Sequence, residues 1–234
     1  MPVPEAEFAH RLASLRGDLA DEARAVRREL EAAVDSVFEK DPDKARRAIE
    51  ADEQVDRLDV RIEREAVQLL CDAIDRGARI DAGGVRTVFT LVKVNNELER
   101  IGDCAVAIAQ RVDAFVALPE PPPPTFRVMA NSVIGILQTT STALSQFDTV
   151  AAELVLMSDD ATDAFKRAIL QDTEEALARG SISVEYAVAL QAVASSLGRV
   201  ADHCTNIAEQ VIYVQTGKVV RHEGDRWTKP APSE

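Results

Sequence analysis

The chain has 234 residues, enough for one large domain or two small ones with substantial apolar cores. Hydrophobic residues make up 46% of it but aromatic residues only 4%, a composition more typical of helix bundles than of β-sandwiches or barrels. A formal net charge of −13 would repel nucleic-acid phosphates and anionic lipids, so cations and basic protein surfaces are the expected ligands and nucleic acid is not.

Three apolar helical faces follow one another in the first half of the chain. Over residues 8–37 the apolar residues keep to one face for about eight turns. Asp41 suits the N-cap and Pro42 the first position of a second helix, which Gly77 should end. Residues 81–115 have the spacing of a third helix.

The second half repeats this plan after a proline-rich connector. Five prolines within residues 118–126 cannot continue a helix and predict a stiff, extended segment. Residues 126–147 and 149–179 then have helical spacing. In the last helix, residues 190–214 alternate apolar positions three and four apart, and Gly217 should end it.

The most informative feature of the sequence is an internal repeat. NNELERIGDCAVAIAQ at residues 95–110 is matched by SSLGRVADHCTNIAE at residues 195–209. Five residues are identical in the two copies. They are Leu98, Arg100, Asp103, Ile108 and Ala109 in the first copy, which correspond in order to Leu197, Arg199, Asp202, Ile207 and Ala208 in the second. Such a repeat predicts two copies of one helical unit. The expected fold is all-α, with two tandem three-helix bundles at residues 1–118 and 126–222.

Acidic side chains recur at one-turn spacing on the second and third predicted helices. They are Asp52, Asp56, Asp59 and Glu63 on the second helix, and Glu99 and Asp103 on the third. Like charges four residues apart destabilise a helix by roughly 0.2–0.5 kcal/mol per pair, and a bound cation would turn that cost into affinity. Carboxylates without histidine or cysteine suit Mg²⁺, Ca²⁺ or Mn²⁺ and can also bind iron. We expect these acids on the outer side of the bundle.

A solvated acidic surface is the alternative to a metal site. In a chain that is 29% charged, acidic pairs at helical spacing also arise by chance. Repetition favours the metal site, because Asp159 and Asp163 reproduce the spacing of Asp52 and Asp56 ahead of the second copy of the motif.

Cysteine use and hydropathy indicate a soluble, cytoplasmic protein. The cysteines are odd in number and lack CxxC spacing, which argues against a disulfide framework or a zinc–thiolate site: they are Cys71, Cys104 and Cys204. The first ten residues have no basic or apolar signal region, and no apolar run approaches the ~20 residues that span a bilayer. Direct membrane insertion is therefore not expected.

The repeated motifs resemble the signature of the PhoU family. LERIGDCAVAIA at residues 98–109 and LGRVADHCTNIA at residues 197–208 each follow a D-x-x-x-D element, ADEQVD at residues 51–56 and SDDATD at residues 158–163. The resemblance implies a cytoplasmic regulator of phosphate uptake and phosphate-starvation signalling. Its implied partners are the ATPase subunit of a phosphate ABC transporter and a membrane-bound sensor histidine kinase.

The resemblance also implies one surface metal cluster per bundle. The matching positions are Asp52, Asp56, Glu99 and Asp103 in the first half, and Asp159, Asp163 and Asp202 in the second. The metal would be divalent or ferric, with iron, zinc, manganese and magnesium all compatible. Gly198 stands where the family has glutamate, and Ser196 where the first copy has Glu97. We therefore expect the second site to bind metal weakly or not at all.

Two classes of function remain open from the sequence. One is a non-enzymatic adaptor that docks on proteins, for which a homodimer is also compatible. The other is a carboxylate-bridged metalloenzyme or metal-storage helical bundle. The second class would need histidine ligands and a core-facing site, whereas these acids lie outside the apolar seams and the expected ExxH pairs are missing. The adaptor is therefore the favoured interpretation.

Overall fold

The computed structural model describes residues 4–117 and 121–220, apart from the side chains of Pro4, Asp159 and Asp160. Part of the predicted connector and the outer ends of both predicted bundles therefore lie outside the described residues. The described part contains helices and turns and no strand, which confirms the all-α prediction. Its eight helices are α1 (Pro4–Glu39), α2 (Pro42–Asp75), α3 (Ala82–Ala109), α4 (Val112–Val116), α5 (Pro124–Gln146), α6 (Thr149–Leu156), α7 (Asp159–Ala178) and α8 (Val184–Thr216).

Local signals set the helix ends where the sequence predicts them. The Asp41 carboxylate accepts hydrogen bonds from the backbone N–H groups of Asp43 and Lys44, at 2.9 and 3.0 Å, and so caps α2. Gly217 ends α8 with a left-handed φ of 70°, which glycine adopts without steric cost.

The third and fifth predicted helices are each broken in two, which corrects the prediction of six continuous helices. Between α3 and α4, the Arg111 N–H bonds to the Ile108 carbonyl three residues back, at 3.0 Å. Between α6 and α7, the Ser158 hydroxyl donates to the Leu154 carbonyl at 2.8 Å and competes with the helical backbone bonds. No proline or glycine marks either break in the sequence.

The first helices of the two halves, α1 and α5, pack against each other in opposite directions. Near the end of α1, the Phe38 ring lies 5.5 Å from that of Phe126 at the start of α5. Near the start of α1, the Arg16 guanidinium lies 4.1 Å over the ring of Phe147, just after α5. Aromatic and cation–π contacts therefore join the two bundles at both ends of this helix pair.

The third helix of each half, α3 and α8, forms the other antiparallel contact. Early in α3 the Arg86 guanidinium lies beside Gly217, which follows α8. Midway along α3, Glu97 bonds to His203 and Asn206 of α8. One apolar core contains buried residues from both halves, so the two bundles share their packing rather than meeting only at their surfaces.

Candidate functional site

The four predicted acids of the first half interact electrostatically across α2 and α3, and the surface that carries them is called the acidic groove below. Asp52 of α2 and Glu99 of α3 are partly buried, whereas Asp56 and Asp103 are exposed. Burial raises the pKa of Asp52, and repulsion from Asp56 and Asp103 raises it further. Because repulsion of this kind acts at short range, the acids of α2 and α3 lie close together across the groove.

Helix α1 adds two glutamates that the sequence analysis did not identify. Glu22 is 0% exposed and Glu29 is 2% exposed, and neither carboxylate has a hydrogen-bond partner in the described part of the chain. Burial raises the pKa of each to about 9. Repulsion from acids of α2 and α3 adds to this shift, from Asp59 and Glu99 on Glu22 and from Asp52, Asp56 and Asp103 on Glu29.

The sequence does contain a signal for these two glutamates. They are seven residues apart, two helical turns, and each sits next to a residue of the apolar face of α1, Ala23 and Leu30. An acid at a core-facing position is unusual, because burying an unpaired charge is costly. Mapping the polar residues that interrupt the apolar face would therefore have found both.

Gly102, within the repeated motif, lets the three helices bring carboxylates together. A Cβ at this position would lie 3.0 Å from Asp52 Oδ1 and 3.6 Å from Glu29 Oε2. The backbone of α3 thus approaches carboxylates of both α1 and α2, and a Cβ at this position would have to displace the Asp52 carboxylate.

The chemistry of these donors fits a hard cation. Every donor is an oxygen, and two of the carboxylates are buried with nothing to neutralise them. Among the side chains that the structure describes, however, no three of His, Cys, Asp or Glu are already gathered as a metal site. The acids surround one region without forming a finished coordination shell, and would have to close on a bound ion.

The acids of the second half have different surroundings. Asp163 and Asp202 are exposed, and the side chain of Asp159 lies outside the described part. Lys166 follows Asp163 by three residues, as Asp59 follows Asp56. Its Nζ lies 3.5 Å from the position a Cβ would take on Gly198. An ammonium group therefore stands where the first half has a carboxylate, and it opposes cation binding there.

His203 ties the two halves together. Its Nδ1 lies 2.7 Å from Glu97 Oε2, which also accepts a hydrogen bond from Asn206 Nδ2 at 3.0 Å. Burial lowers the pKa of His203, but the Cys104 side chain and the Glu97 carboxylate outweigh burial and raise it to about 9. His203 is therefore a partly buried imidazolium at neutral pH and is not free to bind metal.

No helix in the described ranges is both long enough and apolar enough to cross a bilayer.

Comparison with known proteins assigns the chain to a family. The PhoU domain model matches residues 19–112 and again residues 126–211. The phosphate-specific transport system accessory protein PhoU homolog 1 of Thermotoga maritima is 29% identical over 225 residues, 92% of each chain. The crystal structure of PhoU from Pseudomonas aeruginosa superposes with a TM-score of 0.82 at 26% identity, covering 90% of this chain and 100% of that one.

A second solved structure has the same fold at lower identity. It is the phosphate transport system regulatory protein PhoU from Streptococcus pneumoniae, with a TM-score of 0.82 at 21% identity. The superposition covers 91% of this chain and 99% of that one. Both halves of the chain thus match one domain type, which accounts for the internal repeat.

Proposed function

Because this chain belongs to the PhoU family, we propose that it is a cytoplasmic, non-enzymatic regulator of phosphate transport. The names of its relatives, a phosphate-specific transport system accessory protein and a phosphate transport system regulatory protein, support this assignment. The regulator acts by docking on a protein of the transport system, and a cation in the acidic groove of the first bundle is part of its working form.

The main support for a bound cation is the pair of buried glutamates behind the groove, Glu22 and Glu29. Two buried carboxyls without partners destabilise the empty fold, because each must hold a proton that it would release in water at neutral pH, and its ionised form would cost several kcal/mol there. A bound cation would supply the missing positive charge. The residues that would hold it are Asp52, Asp56, Glu99 and Asp103, with Glu22 and Glu29 behind them. Iron, zinc, manganese and magnesium are all candidates.

Two measurements test the metal proposal. Elemental analysis gives the metal content of the protein as purified, and calorimetry gives the affinity of chelator-stripped protein for each metal. Asp103→Ala should lower the metal content and weaken binding by about tenfold or more, a loss of ~1.4 kcal/mol. The control is Asp75→Ala, which removes the same charge from the far end of α2. It should leave the metal content and the metal affinity unchanged. Metal content that is equal in the wild type and both variants would refute the cation site.

The proposed partner is the ATPase subunit of a phosphate transporter, with a sensor histidine kinase second. The net charge of −13 favours a partner with a basic surface, since complementary charge speeds encounter and disfavours wrong partners. An apolar stripe on α2 supports docking of such a protein. Val60, Val67 and Ile74 are spaced by two turns and are 52%, 57% and 75% exposed.

Recovery of the ATPase on the immobilised protein, with and without chelator, tests the docking, and phosphate uptake in a deletion strain tests the function. We expect recovery that falls when metal is removed, together with altered uptake and altered expression of phosphate-starvation genes. Unchanged phosphate uptake and gene expression, with no ATPase recovered, would refute the proposed role in regulating phosphate transport. If metal binding survived that result, the metal-storage bundle would become the better assignment.

A further inference from the structure

A second polar site adjoins the acidic groove where the two bundles meet, and its lining includes none of the four proposed metal ligands. It is a pocket of about 360 Å³, bounded by α2 and α3 of the first bundle and by Gln210 of α8 from the second. Its volume falls within the range of small-molecule pockets, roughly 300–1,000 Å³. Its walls are mostly carboxylates and amides, with Val92 as an apolar part.

Two amide side chains of the pocket have buried oxygens with no hydrogen-bond donor. Asn95 is 2% exposed, and its Nδ2 donates to the Asp59 carbonyl at 3.1 Å and to the Asp59 carboxylate. These bonds assign the nitrogen, so Oδ1 is the atom left without a partner. Gln210 is 4% exposed and its Oε1 is also unpartnered within the described chain. A buried acceptor without a donor is costly and points to a ligand that donates.

The charges around the pocket favour the same kind of ligand. Asp59 and Glu63 lie one turn apart on α2 and both line it. Glu97 lines it too, but the His203 imidazolium already balances that carboxylate. Lys93 is the basic lining residue, and its ammonium lies 4.5 Å over the ring of Phe89. Around the pocket, hydrogen-bond acceptors and negative charges therefore outnumber donors and positive charges, which favours a cationic ligand that donates hydrogen bonds.

The pocket suits an organic cation better than a metal ion. Its volume is about ten times the ~30 Å³ that one water molecule takes in the liquid. We propose that this pocket binds a small organic cation, an ammonium or guanidinium group on a short aliphatic chain. The cationic group donates to the amide and carboxylate oxygens, while the chain lies against Val92.

The second half of the chain has no equivalent pocket chemistry. The repeat places Lys166, Leu170 and Ala194 at the positions of Asp59, Glu63 and Asn95. The proposal therefore predicts one bound organic cation per chain. Because Gln210 belongs to α8, this ligand would contact both bundles.

Calorimetry with agmatine tests the proposal. The full chain is kept in chelator, so that no metal competes, and in about 0.15 M salt to screen general attraction to an acidic protein. We expect one agmatine per chain and no binding of 1,4-butanediol, an uncharged molecule with the same four-carbon chain. Glu63 is exposed and has no ion pair among the described residues, so Glu63→Gln should fold normally. It should weaken binding about tenfold, whereas Glu50→Gln, the same change on an exposed part of α2 away from the pocket, should not.

A second measurement locates the ligand. Agmatine should shift the side-chain NH₂ resonances of Asn95 and Gln210 in the NMR spectrum, and Gln210→Leu should weaken binding. Absence of binding to the wild type, or equal weakening by Glu63→Gln and Glu50→Gln, would overturn the proposal. Unmoved Asn95 and Gln210 resonances at saturating agmatine would also overturn it, because the ligand would then lie elsewhere.

Discussion

At the scale of single residues, Glu22 and Glu29 set the chemistry of the acidic groove. Each places a carboxyl group in the core, and in the described structure this group has no hydrogen bond and no opposite charge beside it. Both therefore hold a proton when no cation is bound, since burial disfavours their ionised forms. The acids of α2 and α3 in front of them are more exposed and carry the negative charge that an approaching cation meets first.

The two raised pKa values predict that the metal-free protein loses stability as the pH rises. In the unfolded chain these carboxyls ionise near 4.5, whereas in the fold they keep their protons up to about 9. Between these pH values the folded state binds more protons, so the free energy of unfolding falls by up to about 1.4 kcal/mol per pH unit for each carboxyl. Glu22→Gln cannot ionise and should flatten this slope.

Urea unfolding in chelator at several pH values from 5 to 8 measures this effect. At the upper end of that range Glu22→Gln should be more stable than the wild type. Glu50→Gln, on the exposed side of α2, should keep the wild-type slope. Identical slopes in all three proteins would contradict the burial of an uncompensated carboxyl at Glu22.

Gly102 offers a test of the close approach of Asp52. Alanine favours a helix over glycine by about 1 kcal/mol, but its Cβ would lie 3.0 Å from Asp52 Oδ1 and would push that carboxylate aside. Gly102→Ala should therefore keep or slightly raise stability while weakening metal binding about tenfold. The control is Gly135→Ala on α5, where a Cβ meets nothing within 4 Å, and it should leave metal binding unchanged. Unaltered metal affinity in Gly102→Ala would remove Asp52 from the site.

At the scale of helices, the two copies of the unit share their apolar pattern and differ in their polar faces. In the first copy, α1, α2 and α3 all contribute acids to one groove. In the second copy, Lys166 of α7 lies against Gly198 of α8, at the positions that Asp59 and Glu99 take in the first. The fold is thus duplicated, whereas among the described side chains the buried acids Glu22 and Glu29 belong to the first copy and a lysine replaces Asp59 in the second.

This difference predicts unequal metal binding by the two halves. Each missing carboxylate removes a donor and a charge, and the Lys166 ammonium adds repulsion. Titration of stripped protein should give strong binding that Asp103→Ala removes and Asp202→Ala leaves intact. Two equal and independent sites, each sensitive to its own aspartate, would show that the lysine does not prevent binding in the second half.

The apolar stripe of α2 predicts a docking defect without a folding defect. Val67 is 57% exposed, so Val67→Glu should leave helicity and unfolding close to those of the wild type, within about 0.5 kcal/mol. The change should reduce recovery of the transporter ATPase at least several-fold, because it places a charge in the apolar contact. Val188→Glu on α8 changes a valine that is 56% exposed and serves as the control. Equal recovery by both variants would locate the docking surface elsewhere.

At the scale of the whole molecule, the two halves meet as two copies of a symmetric dimer would. The pairs α1 with α5 and α3 with α8 join equivalent helices in antiparallel directions. Cys104 and His203 occupy equivalent positions in the repeat and interact with each other, as residues on a two-fold axis do. The Glu97–His203 contact breaks this symmetry, because Ser196 stands at the position equivalent to Glu97.

His203 should stabilise the contact between the bundles in a pH-dependent way. Its pKa is raised from 6.5 to about 9, so its contribution is fully present below about pH 6.5 and is lost as the pH rises through 9. His203→Gln should lower the free energy of unfolding by about 2 kcal/mol at pH 6, and by less at pH 9. Chemical unfolding at the two pH values measures this difference. A loss that is equal at both would mean that the imidazolium charge does not contribute.

The sequence alone determined the features that depend on neighbours along the chain. Apolar residues at helical spacing placed the helices, and Asp41, Pro42 and Gly217 marked helix ends, because capping and periodicity are local effects. The repeat identified the duplicated unit. One-turn spacing singled out Asp52 with Asp56 and Glu99 with Asp103, since residues four apart share a helix face.

Tertiary packing decided which polar faces meet. Only the assembled bundle buries Glu22 and Glu29 behind the acids of other helices and lays the Lys166 ammonium against Gly198. It also pairs Glu97 with His203, residues that are 106 positions apart in the chain. Periodicity states which side of a helix is apolar but not which helix covers it. Contacts between distant residues, and the burial that shifts their charges, therefore follow from the packing of the two halves.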